Sequence, residues 1–320
     1  MSNKTVRWGL LGAGRITNTF AKDMPLVNNS VISAVAARSL NNAQAFAEKY
    51  AIEKAYEGYD ALYADPDIDV IYISTPHTLH YEQTRKALLA GKHVLCEKPF
   101  VVSPEQGEEL TQLAKQKGLF LMEAMWTWFL PAIQKAQQWV REGRIGELKE
   151  IQADFGFPIE YGPEKREWNV ELAGGCTFDM GIYPVALNRL FNHDEPLNWQ
   201  ITGKRAENGA DKTIKAILDY GDRLSILGSS FEYKLPNYAF ILGTEGYVAI
   251  PDFWCASSAK LFNGDECIET FVDERKGTGF EFQIQHTVDS ILAECSESQV
   301  VSHEDSLAFQ RDIQRILTAF

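Results

Sequence analysis

The order of its apolar segments predicts an α/β domain with a parallel sheet, followed by an α+β domain with a large, mainly antiparallel open sheet. Two observations carry this. Through the first 125 residues short apolar runs alternate with stretches of helical periodicity, and beyond them strand-like runs follow one another with only short turns between. Strands separated by helices make right-handed crossovers and a parallel sheet covered on both faces, whereas consecutive strands joined by short turns pair antiparallel. The chain therefore divides into 1–125 and 126–320, with a last helix that packs back on the first domain left open.

The elements follow in order. Val6–Leu11 and residues 31–36, 70–74 and 93–96 read as buried strands, with helices at 16–24, 41–50 and 79–90 between them. Pro104–Lys117 reads as a further helix and 120–124 as a short strand. A helix at 132–142, closed by Gly143, opens the second half. Lys149, Ile151, Ala153, Phe155 and Phe157 then alternate with Glu150, Gln152, Asp154 and Gly156, the period-two pattern of a strand. The triplet Asp154-Phe155-Gly156 copies a kinase motif, but it lies in a strand without the other kinase segments and reads as chance. More strand-like runs occupy 197–205, 212–220, 223–233, 237–243 and 246–250. Two helices finish the chain, one at 280–295 and one opened by Ser302 with Asp305 three residues on, a capping-box spacing.

With 320 residues, 45% hydrophobic and 23% charged, the chain has enough apolar material for two ordinary cores. A formal charge of −13 without any basic run disfavours nucleic acid as a partner. The five cysteines (Cys96, Cys176, Cys255, Cys267, Cys295) are odd in number and lack CxxC spacing, as expected of reduced thiols rather than disulfides or a zinc site. No run approaches the roughly 20 apolar residues of a membrane helix, and the N-terminal apolar run is broken by glycines, unlike a signal peptide. The expected compartment is the cytoplasm, with no membrane partner.

Gly12-Ala13-Gly14-Arg15-Ile16-Thr17 joins the first strand to the first helix. There Gly12 permits a tight turn, and Gly14 lets a pyrophosphate approach the backbone at the helix N-terminus, beside Arg15 and Ile16. This is the dinucleotide-binding turn of a Rossmann domain, weakened by Thr17 where Gly or Ala is usual. Domains that bind NAD usually carry an acidic residue about 20 positions on. Here none occurs between Asp23 and Glu48, and the second strand ends in Arg38-Ser39. A guanidinium there pairs with a 2′-phosphate and the Ser39 hydroxyl adds a donor, so NADP is expected rather than NAD.

In His93-Val94-Leu95-Cys96-Glu97-Lys98-Pro99-Phe100, Lys98 sits at the C-terminal end of a buried parallel strand, where such sheets bind ligands. Pro99 keeps Lys98 out of the helical region. An isolated lysine would read as a surface residue. However, Gly174-Gly175-Cys176-Thr177-Phe178-Asp179-Met180-Gly181-Ile182-Tyr183-Pro184 adds a Gly-rich entry to a helix with Asp179 and Tyr183 on one face. With both segments, the chain resembles the glucose-fructose oxidoreductase / inositol dehydrogenase / rhizopine-catabolism (Gfo/Idh/MocA) family along almost its whole length. Glu97-Lys98-Pro99 matches the family's lysine motif, and Asp179 and Tyr183 match its acid–base helix. Many members have His at the position of Tyr183. Tyrosine there, with Glu123-Ala124-Met125-Trp126-Thr127 and Phe129, is most similar to the branch of dimeric dihydrodiol dehydrogenase and NADP-dependent D-xylose dehydrogenase. Trp128 departs from the Arg usual in that branch and leaves the exact substrate open.

The resemblance implies catalytic roles for Lys98, Asp179 and Tyr183, and cofactor contacts at Lys98, Thr75, Pro76, His80, Glu97 and Trp168. Although His77 and His80 are three apart, no Cys or acidic partners accompany them, so no metal is expected. Of the aromatic residues Trp126, Trp128, Phe129, Trp168, Phe253 and Trp254, those expected to face a substrate pocket are Trp126, Trp168 and Trp254. The expected activity is hydride transfer between NADP and a secondary alcohol or hemiacetal of a sugar or cyclic trans-diol. The competing readings are a non-catalytic NADP-binding sensor of the same fold and a keto- or anhydro-sugar reductase. Retention of Lys98, Asp179 and Tyr183 together favours an enzyme over a sensor, which needs no proton-transfer group. Finally, strand 223–233 carries Leu224, Ile226 and Gly228 on one face and Leu227 and Phe231 on the other, with too few helices to cover both. Twofold association through this sheet, as a homodimer, is the expected remedy.

Overall fold

The structure, a computed structural model, describes residues 4–320 and divides into two compact units. Among the described residues, one comprises 4–126 with Arg275–Leu307, the other Thr127–Glu274 with Ala308–Phe320. The first segment holds β1 (Val6–Leu11), α1 (Arg15–Asp23), β2 (Ser30–Ala37), α2 (Leu40–Tyr50), β3 (Lys54–Glu57) and α3 (Asp60–Ala64). It continues with β4 (Val70–Ile73), α4 (His80–Leu89), β5 (His93–Glu97), α5 (Pro104–Lys117) and β6 (Leu121–Ala124). Next come α6 (Pro131–Arg141), β7 (Leu148–Gly156), α7 (Ile182–Phe191), β8 (Asn198–Arg205), β9 (Asp211–Asp219) and β10 (Leu224–Ser230). The chain ends with β11 (Tyr238–Gly243), β12 (Tyr247–Pro251), β13 (Ser258–Asn263), β14 (Glu266–Val272), α8 (Phe280–Leu292) and α9 (His303–Thr318). Of these β3, α3, β13 and β14 lack a sequence expectation. None of the described helices is long and apolar enough to cross a membrane.

In the first unit six parallel strands run in the order β3-β2-β1-β4-β5-β6. The order reverses between β1 and β4, which opens a crevice at the C-terminal ends of those strands. The core is apolar on both sides of the sheet, with the rings of Trp8, Phe20 and Tyr72 packed in series. Local signals set the helix ends. For α5, the Ser103 hydroxyl accepts the Gln106 N–H and Pro104 fills the first position, while Gly118 closes it at φ +64. The chain returns to this unit with α8, whose first-turn amides are capped by Asp23 from the end of α1. Asp23 accepts the N–H groups of Thr278 (2.9 Å), Phe280 (3.0 Å) and Glu281 (3.3 Å). Of the residues beyond 126, Arg275–Leu307 groups with the first unit and Ala308–Phe320 with the second. Helical periodicity shows that α8 buries one face, but not against which sheet.

The second unit is an eight-stranded sheet in the order β14-β13-β12-β11-β7-β10-β9-β8. Every described pairing in it is antiparallel except β7 with β10. α6 lies over β12 and β13, and α7 over β7 and β10, on one face. That face buries Ile151, Ala153, Phe155, Leu227, Ile241 and Leu261, while the other leaves Ile217, Leu224, Ile226 and Tyr238 exposed.

Candidate active site

Gly12 adopts φ +114, and a Cβ there would stand 2.9 Å from Ser74 Oγ, so a side chain is excluded on both counts. Gly14, the N-cap of α1, has nothing within 4 Å of where a Cβ would project. The backbone at this turn is thus bare, as a pyrophosphate requires, beside Arg15 and Ile16 at the start of α1. Thr17 does not weaken the turn as expected: fully buried, its hydroxyl accepts the Gly14 N–H (3.2 Å) and bonds Ser74 Oγ (2.8 Å). Arg38 is exposed just beyond β2, and Ser39 caps α2 by accepting the Asn42 N–H. Thr75 donates its hydroxyl to Gln83, and Pro76 precedes the short turn that leads into α4. His80 is fully buried, with Nδ1 2.8 Å from the Pro99 carbonyl and Nε2 2.8 Å from the Thr75 carbonyl. Burial pushes its pKa below the ordinary histidine value. Its ring therefore ties the turn after β4 to the Lys98–Pro99 turn.

Lys98 follows β5 directly and is half-buried, and its bond to Pro99 is cis. Two buried carboxyls flank it in the first unit. Glu97 accepts the Tyr72 hydroxyl and Glu123 accepts the Phe100 N–H at 2.8 Å. Burial raises Glu97 from 4.5 to about 7, against the pull of the Tyr72 hydrogen bond and Lys98. Glu123 is likewise pushed up to about 7 by burial. Trp126 packs on Phe280 in this unit, 5.0 Å between ring centres.

In the second unit Asp179 lies in a single π-helical turn, Thr177–Gly181, that leads into α7 with Tyr183. Asp211 of β9 fixes the start of this turn, accepting the Thr177 N–H (2.7 Å) and hydroxyl (2.6 Å). Gly175 has φ +138, and a Cβ there would run into the Asp211 carboxylate, so the glycine lets the chain pass that cap. The Asp179 carboxylate accepts from Arg166 Nη2 at 3.0 Å. Arg166 is held above its ordinary pKa by Asp179 and Glu167, which outweigh the opposing cost of burial. The Tyr183 ring is buried edge-on against Phe155 (5.4 Å) and Trp254 (6.2 Å), and Phe155 stacks on Trp254 at 5.0 Å. The Thr127 hydroxyl donates to the Trp254 carbonyl at 2.7 Å and anchors this aromatic wall.

Two model matches decide the family: an oxidoreductase family with an NAD-binding Rossmann fold over residues 6–125, and the Gfo/Idh/MocA C-terminal domain over 133–249. The chain belongs to the Gfo/Idh/MocA oxidoreductase family. It is similar to the trans-1,2-dihydrobenzene-1,2-diol dehydrogenase of Xenopus laevis, 37% identical over 311 residues, 94% of this chain and 93% of that protein. The Mus musculus enzyme of the same name is 38% identical over 265 residues, 81% of this chain and 78% of its own. A solved 3-ketoreductase from Actinomadura kijaniata, in complex with NADP and TDP-benzene, matches with TM-score 0.85 and 26% identity over 98% of this chain and 97% of its own. The aldose-aldose oxidoreductase of Caulobacter crescentus shares the fold, with TM-score 0.89 at 24% identity over 98% of this chain and 96% of its own.

As a Gfo/Idh/MocA oxidoreductase the chain has three site residues that its motifs do not reveal. Arg166 stands 13 residues before Asp179 and Asp211 stands 34 after Thr177, too far for any local pattern. Phe155 is legible only as an inward strand residue, yet it contacts both Tyr183 and Trp254. Trp168 stands apart from these rings, packing on Tyr161 and Phe231. Trp128 is core: it is 2% exposed and packs edge-on to Phe309 at 5.3 Å.

Proposed function

We propose that this oxidoreductase transfers hydride between NADP and a secondary alcohol or hemiacetal of a sugar or cyclic trans-diol, with Tyr183 as the proton-transfer group. The observation that carries the reading is Tyr183 buried against Phe155 and Trp254, on a helix whose Asp179 is clamped by Arg166. The relatives named as diol dehydrogenases support the substrate class, and the 3-ketoreductase solved with NADP supports the cofactor. A bound nicotinamide supplies the hydride acceptor or donor. Gly12, Gly14, Arg15 and Ile16 would hold its pyrophosphate, and Arg38 with Ser39 the 2′-phosphate.

Oxidation of an alcohol requires that its hydroxyl proton leave as hydride departs. An ordinary phenol, with pKa about 10, is about three pH units too weak a base near pH 7. To Lys98 we assign the charge that favours the ionised phenol, since an ammonium about 4 Å from a phenolate is worth about 4 kcal/mol at an effective dielectric of about 20. Asp179, held by Arg166, accepts a neighbouring substrate hydroxyl and sets the ring's orientation. Trp254 and Phe155 exclude water and present flat apolar faces to the ring carbons. We further assign the working form as a cytoplasmic homodimer joined through the open sheet face that exposes Ile217, Leu224, Ile226 and Tyr238.

The test is Tyr183→Phe assayed on a panel of diols and sugars by NADPH absorbance. Turnover should fall by about 10²- to 10⁴-fold with cofactor affinity intact. Near wild-type turnover in the variant would refute tyrosine catalysis, and no turnover of any diol or sugar by the wild type would refute the substrate class.

A further inference from the structure

The second unit holds a cavity of about 600 Å³ that the chemistry above leaves unused. Its inner wall is aromatic: Trp168 packs edge-on to Tyr161 and Phe231, with ring centres 5.1 and 5.2 Å apart. Its rim is polar, carrying Glu160, Glu207, Glu232 and Lys212. Hydrogen bonds within the unit brace these walls. Trp168 Nε1 donates to the Glu160 carbonyl at 3.0 Å, and Asn208 Nδ2 donates to the Trp168 carbonyl at 2.6 Å. The segment after β7 is thereby tied to the β8–β9 turn.

Two stretches of chain run from this cavity to residues around Tyr183. Phe155, Phe157 and Ile159 alternate along an extended run that continues β7. Beyond the strand's end Phe157 N–H donates to the Ser230 carbonyl (3.1 Å) and Ile159 N–H to the Phe231 carbonyl (2.8 Å). Phe155 contacts the Tyr183 ring, and Ile159 lines the cavity. Four residues at about 3.3 Å each separate these two contacts by about 13 Å, comparable to the end-to-end length of a disaccharide. Along the second stretch, Arg166 holds Asp179 while Trp168, two residues on, lines the cavity.

The lining chemistry selects the occupant. Carboxylates accept hydroxyl hydrogens and aromatic groups pack against ring C–H faces, a combination that suits a neutral polyhydroxylated ring. Three carboxylates line the rim against one ammonium, and that ammonium, Lys212, is engaged by Glu232 at 2.8 Å. Lys165, outside the lining, is likewise engaged by Glu160 at 2.7 Å. A diphosphate entering here would meet like charge. We propose that this cavity is an extension subsite for a neutral second glycosyl unit of the substrate, and that it rejects anionic extensions such as a nucleoside diphosphate. The proposal rests on the sugar-oxidising reading above.

The test compares kcat/KM for D-xylose, xylobiose and a glucuronosyl-xylose in the wild type, Ala206→Trp, which fills the cavity wall, and Glu207→Lys, which reverses a rim charge. Wild type should favour xylobiose over D-xylose at least ten-fold and disfavour the anionic disaccharide. Ala206→Trp should bring xylobiose down to the D-xylose value, and Glu207→Lys should raise the anionic disaccharide at least ten-fold relative to xylobiose. Equal kcat/KM for D-xylose and xylobiose in the wild type overturns the subsite, as does an advantage that survives Ala206→Trp. Should Ala206→Trp fail to fold, an unchanged preference in Glu207→Lys overturns it. If no sugar is oxidised, the catalytic reading fails separately and calorimetric titration with xylobiose decides the cavity. Binding that Ala206→Trp weakens at least ten-fold supports the subsite, and absence of binding heat overturns it.

Discussion

Replacing Glu97 with glutamine should stabilise the protein in mild alkali while changing it far less in mild acid. Glu97 is fully buried, accepts the Tyr72 hydroxyl and lies beside Lys98, with the Glu123 carboxyl on the neighbouring strand. Burial raises its pKa from 4.5 to about 7. A carboxyl that titrates higher when folded than when unfolded favours the folded state while protonated, and that advantage is lost as pH rises through about 7. At about 1.36 kcal/mol per pH unit, the raised pKa costs about 3 kcal/mol of stability at pH 8 and about 1 kcal/mol at pH 5, where the folded carboxyl is still protonated. Glutamine removes the charge and keeps an acceptor for Tyr72. Glu97→Gln should therefore gain about 2–3 kcal/mol on wild type between about pH 5 and pH 8. Relief of Glu123, whose pKa the Glu97 charge raises, adds in the same direction. Urea unfolding of both proteins at the two pH values measures this directly. An offset between variant and wild type that is equal at both would show that Glu97 does not titrate in this range, and the argument would fall.

Three further outcomes are expected. Arg38→Ala should erase a preference for NADP over NAD of about 10- to 100-fold, the worth of a charge-assisted pair, and equal affinities in the wild type would overturn the assignment. Gly175→Ala should cost about 2–3 kcal/mol, since it strains a residue at φ +138 and forces Asp211 off the Thr177 amide; a melting temperature within a degree of wild type would contradict this. Light scattering at micromolar concentration should give twice the 36.0 kDa chain mass, and Ile226→Lys on the open face should return it to one; a monomeric wild type refutes the dimer.

The parallel sheet was legible because its strands are continuous apolar runs between helices, and the glycine turn because Gly12 and Gly14 stand at the first strand–helix junction. Lys98, Asp179 and Tyr183 stand out in the sequence only through the resemblance of their segments to the family's motifs. What sequence could not show depends on distant partners. Asp211 reads as any polar strand-end residue until folding sets it beneath Thr177, and Arg166 as any loop arginine until it meets Asp179. β14 escaped notice because it is a half-exposed edge strand, with Glu266 and Glu269 interrupting its apolar pattern. Thr17 was misjudged because the motif speaks only of residue size, whereas its hydroxyl completes a hydrogen-bond set with Gly14 and Ser74.

Asp23 capping α8 has a consequence for how this chain can be recombined. The nucleotide-binding unit is not one contiguous stretch of gene: residues 127–274 are, in coding terms, an insertion between its sixth strand and α8. A fragment ending at Trp126 would strip Asp23 of the amides it accepts and remove Phe280, Ile284 and Val288 from the core they share. Exchange of substrate preference between relatives must then proceed by two crossovers, one on each side of the insert. The incoming insert must also suit the resident tail, since Phe309 packs on Trp128 and Asp312 pairs with Arg189 at 2.7 Å. Within that limit the cassette can diverge while the cofactor half is inherited unchanged.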